Sequence, residues 1–437
     1  RLGRLTLNDA VMDVQDNRFI IYDVQADTTI VATFVDDLPM FEENDIAYAE
    51  IKGDIGKVKV MPLQTGYGRH VDIPETVEHE GKTFTVAGID ETAFRGTSWL
   101  MSIHIPATIE ASNTGYDLFR QCENLAAIIW DAPLQLTRER VGNITNANML
   151  YYVTDRKYAP SFNNVIVNGE AERIILDGEN SKFLFYCPRT FHVQKIDYYY
   201  YFSLETRKHE CRGWETIALP FDVTTITHQN GPLTPFSLFD YDKGLDDRPF
   251  WLYEYTEDDT WREAAAIKAN TPYLISMPND PAYIEEYRLN GGVTFIGEDV
   301  NVLSSDEESL VVTKGQKRSF IPTFQQIQVG DLPFYALNTE KWRSYEAGSI
   351  FRRNQRNLRP FEAYFLNESS EAKEDFFSVF EETTGITDIA EVFGKRGNTS
   401  ENEHGRIDVY DVAGRKANVK GLKAGLYIID GRKVVVK

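Results

Sequence analysis

Apolar residues recur at a fixed step of 25 residues between positions 94 and 153. Four ladders share this step: Phe94, Phe119 and Ile144; Leu100, Leu125 and Leu150; Ile103, Ile128 and Val153; and the small Thr97, Cys122 and Ala147. Periods of roughly 20 to 29 residues are typical of leucine-rich repeats, whose single coils cannot bury their own apolar face. The spacing therefore predicts a short solenoid in which equivalent side chains stack in shared internal columns.

The same stretch resembles a known family. Residues 71–77 (VDIPETV) and 81–89 (GKTFTVAGI) resemble the opening of BspA-like leucine-rich repeats, and residues 102–106 (SIHIP) and 118–125 (LFRQCENL) resemble their repeat body. The resemblance implies a secreted or surface protein of Bacteroidetes type. A step of 25 back from Leu100 and Ile103 reaches Glu75 and Glu78, so we expect the residues before Phe94 to cap the solenoid.

Composition shifts divide the chain into four expected segments. We expect an N-terminal β segment at 1–45, a leucine-rich-repeat domain with its cap at 46–164, a β-sandwich-like domain at 165–382, and a linker with a small C-terminal β module at 383–437. The predicted fold class is therefore mainly β and multidomain. Residues 411–415 (DVAGR) and 425–428 (GLYI) are similar to type IX secretion sorting tails. That resemblance implies an exported protein.

Charge and hydrophobicity exclude some classes of partner. Hydrophobic residues make up 42% of the chain and charged residues 26%, as in folded globular proteins. The net charge of −21 would repel nucleic acid and anionic lipid. No apolar run approaches the roughly 20 residues of a membrane-spanning helix. We expect a monomer that is secreted or attached to the outer membrane or cell surface.

Cysteine, histidine and acidic residues indicate no assigned metal or cofactor site. Cys122 belongs to the small ladder, which predicts a core position, whereas Cys187 and Cys211 could form a disulfide in an oxidising compartment. Residues 209–211 (HEC) are three possible ligands, but adjacent side chains of a strand point apart. The acidic stretch from Asp240 to Asp247 fits either a calcium-binding loop or a solvated turn.

The densest aromatic run of the chain is Tyr198 to Tyr201. Alternation along a strand places Tyr198 and Tyr200 on one face and Tyr199 and Tyr201 on the other. We expect one pair to pack inward. The outward pair could stack on a sugar ring or contact a partner, and ordinary packing within the sheet is the alternative.

Four arginines close together stand out in an otherwise acidic chain. They are Arg352, Arg353, Arg356 and Arg359. Such a basic cluster could bind an acidic glycan or an acidic patch of a neighbouring protein. A solvated hairpin loop is the alternative.

These patterns favour a non-catalytic protein that binds or adheres to a protein or glycan. We expect His104, Arg120 and Trp130 to point outward from the repeat strands, although no binding, catalytic or metal-binding residue can be assigned. One alternative is a carbohydrate-binding accessory protein that uses Tyr199 and Tyr201. Others are a structural spacer and a hydrolase with an unrecognised pair of carboxylates.

Overall fold

The computed structural model divides the chain into two compact units. The first contains residues 1–196 and 299–306, and the second contains residues 197–298 and 307–437. The structure describes residues 2–8, 10–11, 28–34, 40–159, 161–180, 183–206, 212–239, 248–281, 283, 288–367, 374–380, 409–411, 416–417, 425–429 and 432–436. Within these residues strands predominate, which confirms the predicted mainly β class.

Strands with short connections form the first unit. They are β1 (Leu2–Leu7), β2 (Ala10–Val11), β3 (Ile30–Phe34), β4 (Met40–Glu43), β5 (Ile46–Glu50), β6 (Lys57–Met61), β7 (His70–Asp72), β8 (Thr76–His79), β9 (Lys82–Ile89), β10 (Ser102–Ile105), β11 (Ala127–Trp130), β12 (Leu150–Val153), β13 (Val165–Val167), β14 (Glu170–Asp177) and β15 (Phe191–Tyr201), the last of which continues into the second unit. A short helix, α1 (Arg138–Val141), and 3-10 turns at Ala111–Asn113 and Arg156–Tyr158 lie between them.

A ladder of parallel strands, in the order β7, β10, β11, β12 and β13, forms the solenoid. Val71, Ile103, Ile128, Tyr151 and Val165 lie in one row across it, so successive coils contain 32, 25, 23 and 14 residues. The step of 25 therefore holds for the central coil alone. Each coil keeps its strand in register while the length of the return path varies.

The third coil departs from the predicted ladders. Leu150 lies opposite Ala127 rather than in the column of Leu125, and Met149 enters the interior core instead. Val153 still faces the interior, because a coil shortened by two residues preserves the alternation of a strand. Ala147, the last member of the small ladder, is exposed. The predicted columns of Leu150 and Ala147 are therefore wrong at this coil.

The residues before Phe94 both cap and extend the solenoid. A sheet in the order β4, β5, β6, β9 and β8 contributes Tyr48, Val58 and Val86 to the same buried core as Phe94 and Leu100. Strand β7 belongs instead to the parallel ladder. The fixed step of 25 did not reveal it because its coil is longer.

A tight hairpin ends the parallel ladder. After β13 the chain turns through Asn168 and Gly169, which both have positive φ, and returns as the antiparallel strand β14. Two left-handed residues in succession, with the sequence Asn-Gly, are typical of a type I′ turn. The turn therefore closes the last coil within a few residues.

The second unit contains strands of two packed sheets and a C-terminal group. They are β16 (Glu215–Ile217), β17 (Thr225–His228), β18 (Gly231–Pro235), β19 (Arg248–Tyr255), β20 (Trp261–Glu263), β21 (Tyr273–Ser276), β22 (Gly292–Val302), β23 (Thr313–Lys314), β24 (Arg318–Thr323), β25 (Tyr335–Leu337), β26 (Ile350–Arg353), β27 (Glu362–Asn367), β28 (Phe376–Ser378), β29 (Val409–Asp411), β30 (Lys416–Ala417), β31 (Gly425–Ile429) and β32 (Arg432–Val436). Residues 299–302 of β22 belong to the first unit.

An aromatic core lies between the two sheets of this unit. One sheet follows the order β16, β21, β19, β18, β17 and β22, with β20 beside β19, and the other follows β23, β24, β27, β25, β26 and β28. Tyr255 of the first sheet contacts Phe320 and Phe365 of the second, with ring centroids 6.0 and 4.8 Å apart. This shared core packs the two sheets of the unit against each other.

The C-terminal strands pair with one another in the order β30, β29, β31 and β32, and all three pairings are antiparallel. This agrees with the predicted C-terminal β module. Among the described residues, no helix is long and apolar enough to cross a membrane.

Candidate binding surfaces

The outer face of the solenoid strands is largely covered by the protein itself. Ala127, Ile129, Leu150 and Tyr152 lie on this face of β11 and β12, and all are buried. Residues 184–191, here called the covering segment, pack over them. Asn146 Nδ2 donates to the Leu184 carbonyl at 2.8 Å, the Tyr152 hydroxyl donates to the Arg189 carbonyl at 2.9 Å, and the Tyr152 ring contacts Phe191 edge-on.

A sequence signal for this cover was present. Residues 125–130 (LAAIIW) and 149–153 (MLYYV) are continuously apolar rather than alternating. Continuous apolar runs are typical of strands buried on both faces. Together with the structure, these two runs show that the outer face of β11 and β12 does not offer an open array of side chains to a ligand.

The part of the outer face around His104 of β10 is polar, and its side chains are hydrogen-bonded to one another. His104 lies between two carboxylates, with Nδ1 2.6 Å from Asp72 Oδ1 and Nε2 2.9 Å from Asp131 Oδ2. Both contacts are hydrogen bonds when both ring nitrogens carry hydrogen. The covering segment reaches the neighbouring row, where the Tyr186 ring lies 4.6 Å from that of His70; His70 Nδ1 is 2.9 Å from Ser102 Oγ, and burial lowers the pKa of His70. These contacts link adjacent coils.

The three residues expected to point outward lie in different environments. His104 is half-buried, and Arg120 is exposed, with its guanidinium 3.6 Å from Asp117. The expectation for Trp130 is wrong, because it is fully buried and its Nε1 donates to the Leu134 carbonyl at 2.9 Å. Trp130 lies opposite Ile105 and fills the same interior position of the next coil.

The tyrosine run divides as its alternation predicts. Tyr198 is buried against Phe361 and Tyr200 is half-buried, with its hydroxyl hydrogen-bonded to Glu215. Burial raises the pKa of Tyr200 well above its ordinary value. Tyr199 and Tyr201 are exposed, at 43% and 44%. Two tyrosine rings are therefore accessible to a ligand, although the Tyr199 ring also lies directly over Gly292, which has no side chain to displace it.

The four neighbouring arginines do not form one cluster. Arg352 pairs with Phe376 across β26 and β28, whereas Arg353, the next residue, points to the opposite side because side chains alternate along a strand. Arg356 is held by Glu362, with Nη1 2.8 Å from Oε2. Arg359 is exposed. The cluster seen in the sequence is thus split by strand geometry.

Arg352 instead joins aromatic residues of the loop between β25 and β26 and of β28. The guanidinium carbons of Arg343 and Arg352 lie over the Trp342 ring, 4.2 and 4.0 Å from its centroid. Tyr345 stacks beside Trp342 at 6.1 Å with an angle of 17°, and Phe376 contacts both rings. We call these five residues the arginine–tryptophan surface. Trp342, Tyr345, Arg352 and Phe376 are half-buried and Arg343 is exposed.

The two guanidinium groups of this surface have no acidic partner in the described part of the chain. Two of the nearby carboxylates are paired with other cations: Glu346 with Lys341, and Glu374 with Arg318. Trp342 and Arg343 were missed by the sequence analysis. The signal available was a tryptophan flanked by Lys341 and Arg343, close to the arginine run.

The structure assigns no ligand to the remaining candidate sites. Cys187 is a buried free thiol, and burial raises its pKa to about 12, while Cys211 lies outside the described residues. The predicted sites at 209–211 and at Asp240 to Asp247 also lie outside them. Within the described ranges, no group of three or more His, Cys, Asp or Glu side chains is arranged to hold a metal ion.

A small cavity lies at the last coil of the solenoid. Its volume is about 130 Å³, and Arg156, Phe162, Glu172 and Arg173 are among its lining residues. Pockets for small organic ligands are typically about 300 Å³ or larger. The arginine–tryptophan surface is therefore the stronger candidate for binding.

Comparisons with known proteins are limited to part of the fold. A scan against protein-family models gives no match, and a search among curated proteins gives none. A leucine-rich repeat protein from Bacteroides ovatus is 20% identical, with 31% of this chain and 35% of that chain covered and a TM-score of 0.21. A leucine rich cell surface protein from Faecalibacterium prausnitzii is 14% identical, with 37% and 43% covered and a TM-score of 0.20.

A third similar structure is a leucine-rich repeat protein from Bacteroides capillosus, 17% identical, with 31% of this chain and 81% of that chain covered and a TM-score of 0.19. The chain spans less than half the length of the first two structures. At these TM-scores the similarity carries no argument about activity or partner.

Proposed function

We propose that the chain is a non-catalytic binding protein, secreted or attached to the cell surface, that binds an anionic partner through the arginine–tryptophan surface. The observation that carries the proposal is the contact of Arg343 and Arg352 with the Trp342 ring, without an acidic partner among the described residues. Arg352 Nη1 also donates to the neutral Gln355 Oε1 at 3.0 Å, so its charge is not compensated by that contact.

The physical argument rests on preorganisation. Immobilising a long side chain on binding costs about 0.5 to 1.5 kcal/mol. Here the ring contacts already restrict both guanidinium groups, so less side-chain freedom remains to be lost. Each group keeps N–H donors for an oxyanion, and charge-assisted hydrogen bonds are the stronger kind. The binding free energy of an anionic partner would therefore be more favourable here than at a flexible arginine.

Support for an extracellular location comes from sequence resemblance. Residues 71–89 resemble BspA-like repeats, and residues 411–415 and 425–428 resemble sorting tails of exported proteins. Both types of sequence are typical of secreted or surface proteins of Bacteroidetes. The location can be tested by immunodetection on intact cells and in the culture medium, and detection in the cytoplasmic fraction alone would contradict it.

Binding can be tested with dextran sulfate immobilised on a sensor surface. We expect the protein to bind, and the double variant Arg343→Gln/Arg352→Gln to lose roughly tenfold in affinity, a change of about 1.4 kcal/mol. The matched control is Arg353→Gln/Arg359→Gln, which removes the same charge from arginines outside the surface. Equal losses in both variants, or no binding by the unaltered protein, would contradict the proposal.

A second candidate function is glycan binding through Tyr199 and Tyr201, favoured by the exposure of both rings. An exposed tyrosine pair on one face of a strand can stack on sugar rings. On a glycan array, this function predicts that Tyr201→Ala loses binding to neutral glycans while Arg343→Gln/Arg352→Gln retains it. Retention by Tyr201→Ala would count against it.

A further inference from the structure

The two arginines of the surface share one aromatic ring. Because each guanidinium carbon lies about 4 Å from the Trp342 centroid, the two carbons are at most about 8 Å apart. Charges at that separation are within the Debye length of about 8 Å at physiological ionic strength and repel each other. A bound oxyanion that accepts hydrogen bonds from one or both groups would reduce this repulsion.

Flat apolar rings lie next to these charges. Tyr345 is nearly parallel to Trp342, and Phe376 has its centroid 5.2 Å from Trp342 and 4.9 Å from Tyr345. Aromatic rings with a polar edge present an apolar face together with a hydrogen-bonding group. The surface therefore suits a ligand in which an acidic group stands beside a flat, partly apolar ring.

Three carboxylates border the surface, and two of them are paired with cations. Glu346 is engaged by Lys341 and Glu374 by Arg318, and the exposed Asp375 immediately precedes Phe376. A ligand with a carboxylate on every residue would bring negative charge against Asp375 and against the net charge of −21. A ligand with widely spaced acidic groups avoids that repulsion.

Building on the proposed function, we infer that the ligand is an acidic glycan in which carboxylate or sulfate groups alternate with uncharged sugars. One acidic group binds Arg343, Arg352 or both, and an adjacent sugar ring packs against Tyr345. An acidic peptide lacks the sugar face between its charges and brings more negative charge against a chain that is itself acidic. Planar guanidinium groups accommodate a carboxylate or a sulfate equally, so the experiment includes both.

The test compares four hexameric probes by isothermal titration calorimetry with the full chain. They are a hexasaccharide of alternating glucuronic acid and N-acetylglucosamine, its sulfated counterpart, an N-acetylglucosamine hexamer and hexaglutamate. We expect one or both acidic hexasaccharides to bind at least roughly tenfold more tightly than the neutral hexamer and hexaglutamate. We also expect that binding to fall roughly tenfold in Arg343→Gln/Arg352→Gln and in Tyr345→Ala, but less than twofold in Arg353→Gln/Arg359→Gln.

The outcomes separate this inference from the proposed function. Tighter binding of hexaglutamate than of the acidic hexasaccharides, lost in Arg343→Gln/Arg352→Gln, overturns the inference and leaves the proposed function standing. Equal binding of neutral and acidic hexasaccharides also overturns it. Failure of all four probes together with failure on dextran sulfate overturns both. Thermal unfolding of each variant shows whether Tyr345→Ala remains folded, and the arginine variants decide the result if it does not.

Discussion

His192 of β15 faces Glu170 of β14, with 2.8 Å between Nδ1 and Oε2. This hydrogen bond is the main cause that raises the pKa of His192 above its ordinary value, and Asp299, 3.2 Å from Nε2, adds to it. A histidine whose pKa is higher in the folded state stabilises the fold below its unfolded value of about 6.5. That contribution is lost as the pH rises through the folded pKa.

We therefore expect His192→Gln to lower the free energy of unfolding more at about pH 5.5 than at about pH 9. Urea unfolding of both proteins at the two pH values measures the difference, and NMR titration of the His192 ring gives its pKa directly. A loss that is equal at both pH values would show that the pair with Glu170 does not form in solution.

Cys187 should resist alkylation in the folded protein. Its thiol is buried beside the Tyr152 hydroxyl, at 3.3 Å, and burial raises its pKa to about 12. Since the thiolate is the reactive form, iodoacetamide at about pH 8 should leave the Cys187 peptide unmodified and should modify it in urea. Mass spectrometry of the digested protein measures both. Rapid modification without urea would indicate that the covering segment opens.

The shortened third coil predicts unequal effects at two positions of one sequence ladder. Cys122 is buried and Ala147 is exposed. Cys122→Leu inserts extra volume into the core and should cost about 1 to 3 kcal/mol. Ala147→Leu should change stability by less than about 0.5 kcal/mol. Chemical denaturation of the two variants measures the change in the free energy of unfolding. Equal losses would indicate that Ala147 occupies a core position equivalent to that of Cys122.

Gly292 and Tyr199 should be energetically coupled. A Cβ at position 292 would overlap the Tyr199 ring, whose far end can swing away. Gly292→Ala should therefore destabilise the protein modestly, and the same change should cost less in a Tyr199→Ala background. A double-mutant cycle by thermal unfolding gives the coupling, for which contacting residues typically show about 0.5 to 3 kcal/mol. Additive effects would mean that the ring does not rest on Gly292.

Local alternation was readable from the sequence because it depends on neighbouring residues alone. The split of Tyr198 and Tyr200 from Tyr199 and Tyr201 follows from the strand period, and the pairing of Ile103 with Ile128 follows from one regular coil. The β-branched and aromatic residues of β6, β9 and β27 are likewise typical of strands. These features need no knowledge of which distant segment is the partner.

Features that depend on distant partners were not readable in the same way. Return paths of different length can all keep Val71, Ile103 and Tyr151 in one row, so a fixed step misses the longer and shorter coils. Residues 183–186 have strand-like composition, yet they lie outside the strands, next to or within the covering segment. The contact of Trp342 with Arg352 depends on how the loop between β25 and β26 folds back onto β26, and the sequence pattern of the loop does not indicate this.

The hairpin at Asn168 and Gly169 fixes how long the solenoid can be. With β14 hydrogen-bonded antiparallel to β13, an additional coil cannot simply be appended at this end. Five strands spaced about 4.8 Å apart give a ladder about 19 Å across. The parallel ladder thus has a set width, and a longer version would have to gain its coils by insertion upstream of β13.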